Sequence, residues 1–298
     1  MGATPVVFHS EGCRLAGDYY PPADGGGGAR AGVVLCHGYT GVKDLYLPDN
    51  ARALAEAGYA ALAFDYKGWG ESEGPRTRLA PHSRVADVQA ALTFLGTREE
   101  VDPGRLALYG TSYGGATAVW TAAIDRRVQC TVSVVGIGHG ERWMRSVRRP
   151  DEWFDLLERS AADRVRRATG GESELVARTE VLLPDRQSAA LAAAARRGVK
   201  GAVDTLPLEF VDETLGFHPE WVVDRIAPRP VLFIAAGDDR LVPPEESRAL
   251  YDKAGEPKRL VVLDGCGHYE VYAEPAFTRV MDETLAWFGE HLAAGDEP

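Results

Sequence analysis

With 298 residues, 45% of them hydrophobic and 26% charged, the chain is long enough for one large α/β domain with an insertion. Its formal net charge is −11, with no basic run of the kind that binds phosphates, which argues against nucleic acid as a partner. No uninterrupted apolar run approaches the roughly 18 residues of a membrane span, and Cys13, Cys36, Cys130 and Cys266 lack metal-type spacing.

Residues around 5–9 and 13–20 read as an opening strand pair. Residues 24–30 read as a loop. Its glycines, Gly25 to Gly28, form a flexible tip and no phosphate cradle, because no Gly-Lys-Ser/Thr follows. Ala31-Gly32-Val33-Val34-Leu35-Cys36 is a buried strand that ends in His37-Gly38-Tyr39-Thr40-Gly41. A helix around 49–57 leads to a strand at 60–64 and then to Asp65-Tyr66-Lys67-Gly68-Trp69-Gly70-Glu71-Ser72. Another helix around 83–95 precedes the apolar run Leu106-Ala107-Leu108-Tyr109. Strands that alternate with helices in this way predict a mainly parallel, doubly wound α/β sheet covered on both faces.

The run at 106–109 enters Gly110-Thr111-Ser112-Tyr113-Gly114-Gly115, and an Ala-rich helical run follows at once. A Gly-x-Ser-x-Gly between a strand and a helix is a nucleophile elbow. Turning from strand to helix within one residue strains the serine backbone, and larger neighbours would collide with the flanking elements. The turn lifts the Ser112 hydroxyl above the sheet edge and aims the helix N-terminus at whatever it attacks.

Beyond a strand at 131–135 the alternation stops. About 90 residues, rich in Arg, Glu and Ala and helical in pattern, separate two core strands where one helix would suffice. An insertion here leaves the sheet on the side of the strand ends, so residues 138–222 are expected to form a helical cap or lid. Trp143, Trp153, Phe154, Phe217 and Trp221 are candidate pocket walls, with Trp69 from the core. The arginines at 142, 145, 148 and 149 read as a solvated face, with binding of an acidic substrate as the alternative.

A hydroxyl needs a base, and the order expected after the elbow is an acid and then a histidine. Val231-Leu232-Phe233-Ile234-Ala235-Ala236 reads as a buried strand and ends in Gly237-Asp238-Asp239-Arg240-Leu241-Val242-Pro243. Asp239 has the Asp-x-x-Val-Pro spacing and is preferred to Asp238, although both are candidates. Val261-Val262-Leu263 leads into a Gly-rich loop that carries His268. His218 has no strand upstream, and His291 lies in the amphipathic helix predicted at 275–292. An N–H from the loop after the early strand pairs with that of the residue after the nucleophile. This selects the Tyr39 and Tyr113 amides and leaves His37 as a loop-shaping residue.

Four motifs in this order, at His37-Gly38, at 65–72, at Ser112 and at Asp239/His268, resemble the α/β-hydrolases. The likeness covers about residues 4–137 and 223–298, and its esterase-like, dienelactone-hydrolase-like and peptidase-like members are the nearest in style. The string at 65–72 carries Lys67 where the family has arginine. The resemblance implies a discontinuous core of 1–137 and 223–298 and a small-molecule acyl substrate. It implies a serine esterase with Ser112 as nucleophile, His268 as base, Asp239 as orienting acid, and the Tyr39 and Tyr113 amides as oxyanion hole. Acyl transfer or thioester hydrolysis, short-peptide cleavage and non-catalytic binding are the alternatives. No metal or organic cofactor is implied, and a homodimer is left open. The opening Met1-Gly2-Ala3-Thr4-Pro5 has no basic or apolar stretch of signal type, so a reducing cytoplasm is expected. Cys266, so near His268, is expected to pack its loop and to be sensitive to thiol reagents.

Overall fold

Apolar runs of four to six residues set the centre of the computed structural model, which describes residues 2–23 and 28–292. Except for Gly28, the glycine tip expected at 25–28 lies outside the described residues. Strands β1 (Thr4–Ser10) and β2 (Cys13–Tyr20) form an antiparallel pair, followed by β3 (Arg30–Cys36), helix α1 (Leu47–Glu56) and β4 (Ala60–Phe64). Next come α2 (Pro81–Leu95), β5 (Val101–Thr111), α3 (Tyr113–Ile124) and β6 (Val128–Val134).

The insertion follows. It contains α4 (Gly140–Ser146), α5 (Pro150–Ala168), β7 (Leu175–Ala177), α6 (Arg178–Val181), α7 (Arg186–Arg196), β8 (Thr205–Pro207) and α8 (Phe210–Leu215). The chain then returns through β9 (Val231–Ala236), α9 (Pro244–Lys253), β10 (Lys258–Leu263) and α10 (Ala276–His291). Eight strands lie in the order β1-β2-β4-β3-β5-β6-β9-β10. Pairing is parallel from β4 to β10 and antiparallel at β1–β2–β4. This is the mainly parallel α/β sheet, with helices on both faces, that the alternation of strands and helices predicts.

Alternation along the strands builds two cores. Val34 of β3 faces a core shared with Val88 and Leu92 of α2 and Val119 of α3. Val33 and Leu35 face the other, with Leu54 of α1 and Phe288 of α10. Trp153, Leu156, Val181, Leu206 and Phe210 of the insertion join the first core, so this segment packs continuously with the sheet's helices. Its two-stranded antiparallel sheet, β7 with β8, was not expected from the helical pattern.

The turn at 65–72 shows why it needs its residues. Asp65 accepts the Lys43 and Glu71 N–H groups at 2.7 and 2.9 Å, and the Ser72 hydroxyl donates to the Asp65 carbonyl at 2.6 Å. Gly70 sits at φ 49°, where a Cβ would collide with the Asp65 carboxylate. Lys67 pairs with Asp87 at 3.3 Å and with Glu11, so it has its own carboxylate partners in the arginine's place.

Candidate active site

Gly110, Gly114 and Gly115 crowd the turn between β5 and α3. A Cβ on Gly110 would strike the Gly114 carbonyl, and one on Gly114 would strike the Cys36 carbonyl of the neighbouring strand. With that space closed, Ser112 takes φ 56° and ψ −123°, a strained backbone for a residue with a side chain. Its N–H donates to the Val134 carbonyl of β6 at 2.8 Å. The side chain thus stands at the C-terminal edge of the sheet and at the start of α3.

The loop after β10 brings His268 to the same edge. The Ser112 Oγ and His268 Nε2 are 3.1 Å apart, and His268 Nδ1 lies 2.6 Å from Asp239 Oδ2. With the proton on Nδ1 donated to Asp239, Nε2 is left to accept the Ser112 hydroxyl proton. The other Asp239 oxygen accepts the Leu241 and Val242 N–H groups, each at 2.8 Å. These bonds explain the Asp-x-x-Val spacing physically. Asp238 is exposed, and its N–H donates to the Cys266 carbonyl. Ser112 is 7% exposed and His268 3%.

Gly38 lies against the serine, where a Cβ on it would stand 3.2 Å from Ser112 Cβ. Its carbonyl has three donors: the Gly41 N–H at 3.2 Å, His37 Nδ1 at 3.1 Å and Arg84 Nη1 at 3.2 Å. Burial holds the His37 pKa well below its ordinary value, so the ring is neutral. A trans peptide points its C=O and the next N–H in opposite directions. Fixing the Gly38 carbonyl therefore fixes the Tyr39 N–H. Tyr113 opens α3, so its N–H has no carbonyl one turn back in the helix.

Arg84 was not found from the sequence. Its guanidinium is buried behind this loop, 4.5 Å from the Tyr66 ring centroid and 5.6 Å from that of Tyr113. Burial lowers its pKa from the usual arginine range. Among the described residues, its Nε and Nη2 have no hydrogen-bond partner.

The cavity at Ser112 is narrow, ≈ 30 Å³, about one water's share of liquid. Gly38, Tyr39, Tyr46, His268, Tyr269 and Tyr272 line it from the core, and Arg178, Leu182, Ala192 and Arg196 from the insertion. His268 also borders an open cleft of ≈ 670 Å³ with Gln187, Ser188 and Leu191. Helix α7 is thus the partition between the two, with 187, 188 and 191 outside and 192 and 196 inside.

The four tryptophans expected at the pocket do not line this cavity. Trp69 and Trp153 are buried in the core, and Trp69 Nε1 donates to the Arg78 carbonyl at 3.0 Å. Trp143 is buried too, and its Nε1 donates at 2.8 Å to the carbonyl of Leu241, which buttresses the Asp239 loop. Trp221 is 62% exposed, and its ring lies tilted against that of His218 with centroids 4.1 Å apart. Phe217 packs on Tyr113 and Trp120, and Phe154 is exposed. The arginine run is partnered within the protein at three positions. Arg142 bridges Glu220 and Glu246, Arg148 donates to the Met144 and Val181 carbonyls, and Arg149 pairs with Asp151 and Glu152.

Among the described residues, no group of His, Cys, Asp or Glu is arranged to hold a metal ion, and no helix is long and apolar enough to cross a membrane. Burial raises the Cys266 thiol to about 11, with Glu270 and Asp239 adding to the rise.

A family model described as alpha/beta hydrolase fold matches residues 33–275. A polyketide transferase, claH of Penicillium crustosum, is 29% identical over 297 residues, covering 95% of each chain. A thiohydrolase, aneE of Aspergillus aculeatus, is 26% identical, over 88% of this chain and 86% of its own. Among solved structures, the alpha/beta hydrolase GrgF from Penicillium sp. sh18 superposes with a TM-score of 0.82 at 23% identity, covering 99% of this chain and 100% of its own.

Proposed function

The chain belongs to the alpha/beta hydrolase fold family, and from that premise we propose that it is a serine hydrolase which cleaves a carboxylic ester of a small molecule through an acyl-enzyme on Ser112. The observation that carries this reading is the buried chain of hydrogen bonds from Asp239 through His268 to Ser112, at 2.6 and 3.1 Å. Ser112 Oγ attacks the acyl carbon while His268 Nε2 takes its proton, and Asp239 stabilises the imidazolium and fixes its tautomer. The carbonyl oxygen gains negative charge and meets the Tyr39 and Tyr113 N–H groups, where losing one donor costs about two to three orders of magnitude in turnover. His268 then protonates the leaving oxygen. A water, deprotonated by the same imidazole, attacks the acyl-enzyme and releases the acid.

The segment 138–222 acts as a cap in this reading. The cavity against Ser112 is narrow and α7 separates it from the open cleft that His268 also borders, so in this reading α7 controls how far an acyl chain reaches from that cleft. A second reading is transfer or hydrolysis of an acyl thioester, favoured by the relatives named polyketide transferase and thiohydrolase. The same acyl-enzyme serves it, with a thiolate leaving and an alcohol or water accepting. The test is a matched panel of oxygen esters and thioesters, assayed with and without an added alcohol. Faster release from the oxygen esters to free acid supports the first reading. Preference for thioesters, with acyl groups appearing on the alcohol, supports the second. Equal rates for the Ser112→Ala protein and the wild type on every substrate would sink both.

A further inference from the structure

The wall of the Ser112 cavity holds more hydrogen-bond donors than the reaction uses. Arg178 and Arg196 both line it and also border an outer cleft beside Asp204, so they stand between the two, and both side chains are about nine-tenths buried. They share one carboxylate, Asp204, whose Oδ1 lies 3.7 Å from each Nε and whose side chain is 89% exposed. A single solvated carboxylate at that distance offsets little of two buried guanidinium charges. Arg196 gives Nη1 to the Thr40 carbonyl at 3.0 Å and Nη2 to the Val203 carbonyl, while its Nε has no hydrogen-bond partner among the described residues. The buried Tyr46 hydroxyl has none either. Tyr46 is held at φ 69°, a costly backbone for a bulky residue, and its ring stacks on Tyr272 at 4.1 Å. Burial raises the Tyr46 and Tyr269 phenols, so both remain protonated. Unpaired buried donors of this kind are expensive unless a ligand supplies the acceptor.

We infer that Arg178, Arg196 and Tyr46 form a subsite for a carboxylate on the acyl chain, a few atoms from the scissile carbonyl. The substrate is thus the monoester or monothioester of a dicarboxylic acid. Guanidinium groups hold carboxylate oxygens through charge-assisted, geometrically specific bonds, which a neutral acyl chain cannot make. Arg196 ends α7, so the helix that walls the cavity also sets one cation against the bound anion and couples recognition to shielding of the ester. The inference rests on the proposed acyl chemistry only for its position in the substrate, since the binding step needs no turnover.

The test uses the full-length Ser112→Ala protein, titrated calorimetrically with methyl hydrogen glutarate, which is anionic, and with neutral dimethyl glutarate. At least tenfold tighter binding of the monoester is expected. That preference should fall at least tenfold on adding Arg178→Gln or Arg196→Gln, and Arg178→Lys should restore part of it. Arg196 also tethers two carbonyls, so melting curves accompany each variant. Arg178→Gln, whose guanidinium reaches Asp204 and the Tyr269 hydroxyl but tethers no carbonyl, decides the matter if the Arg196 variant unfolds. No preference for the monoester, or one that survives Arg178→Gln in a folded protein, overturns the subsite. Fluorophosphonate labelling of the wild type separates the two ideas. An adduct on Ser112 without the anion preference leaves the hydrolase reading standing alone, and the preference without an adduct leaves the subsite standing alone.

Discussion

At the scale of single residues, the candidate site is oriented by hydrogen bonds that converge on each of its groups. Asp239 receives two backbone N–H groups on one oxygen and the His268 ring on the other, whereas Asp238 is exposed. Asp239→Asn should lower turnover by about four orders of magnitude, because the amide favours the wrong imidazole tautomer, while Asp238→Asn should leave it close to wild type. Steady-state rates on one ester check this, and a larger loss at Asp238 would reverse the assignment. Arg84 makes a subtler case. It holds the Gly38 carbonyl from behind and lacks a carboxylate partner within salt-bridge distance among the described residues. Replacing an uncompensated buried cation by an apolar group of similar size is often neutral or stabilising. Arg84→Met should therefore keep the melting temperature while kcat drops by about ten- to a hundredfold through a misplaced oxyanion donor. A melting temperature that falls with kcat unchanged would make Arg84 a packing residue instead. Cys266, raised to about 11, is a neutral thiol at pH 8. Iodoacetamide at that pH should modify the part-exposed Cys13 before Cys266 and leave activity intact, contrary to the sensitivity expected from sequence. Peptide mapping of the alkylated protein checks both points. Ser112 and His268 could be picked out from sequence because an elbow and a Gly-rich loop are local signals. Asp239 could be picked out because its partners at 241 and 242 are neighbours. Arg84, Arg178 and Arg196 could not, since each acquires its setting from segments far away in the chain.

At the scale of elements, the core strands and their helices were legible because four to six consecutive apolar residues between turn signals mark a strand buried on both faces. β9 was expected at 231–236 and is found there, and the helix expected at 275–292 is α10. β7 and β8 were not legible. Each has three residues, too few to show a period, and tertiary packing sets them in place. Trp143 and Trp153 lie on helices, where an aromatic has the same spacing whether it faces a core or a ligand, and both are buried away from the Ser112 cavity. Trp143→Ala should cost about 3–5 kcal/mol of stability as a buried large-to-small change, with the ranking of acyl chain lengths preserved. Trp221→Ala, on an exposed ring, should stay within about 0.5 kcal/mol. Urea midpoints and chain-length profiles on the same proteins separate these outcomes. Helix α7 offers the sharper contrast. Ala192 is buried on the cavity side and Leu191 borders the outer cleft. Ala192→Phe should exclude long acyl chains far more than short ones, at an overpacking cost of about 1–3 kcal/mol, and Leu191→Ala should leave the profile unchanged.

At the scale of the whole molecule, the sheet edge carries Ser112 and His268, the insertion walls one side of them, and the buried turn at 65–72 holds the loop after β3 through the Lys43 N–H. Asp65 anchors that turn, and burial raises its pKa to about 6. The folded state therefore binds this proton more tightly than the unfolded chain, whose aspartate titrates near about 3.9. Its contribution to stability is fullest below about pH 4 and is lost as the pH rises through about 6. Asp65→Asn removes that dependence, so the variant should gain on the wild type between pH 4 and 7, whatever constant it loses through the changed hydrogen bonds. Denaturant titrations across that range check the sign, and a variant that falls further behind as the pH rises would contradict it. The central claim is that this buried assembly is a working nucleophile. Its most direct test is peptide mapping by mass spectrometry after treatment with a fluorophosphonate. The account predicts one stoichiometric adduct on Ser112, absent in Ser112→Ala and strongly slowed in His268→Ala. A folded wild-type protein that stays unlabelled, or an adduct on another residue, would contradict it.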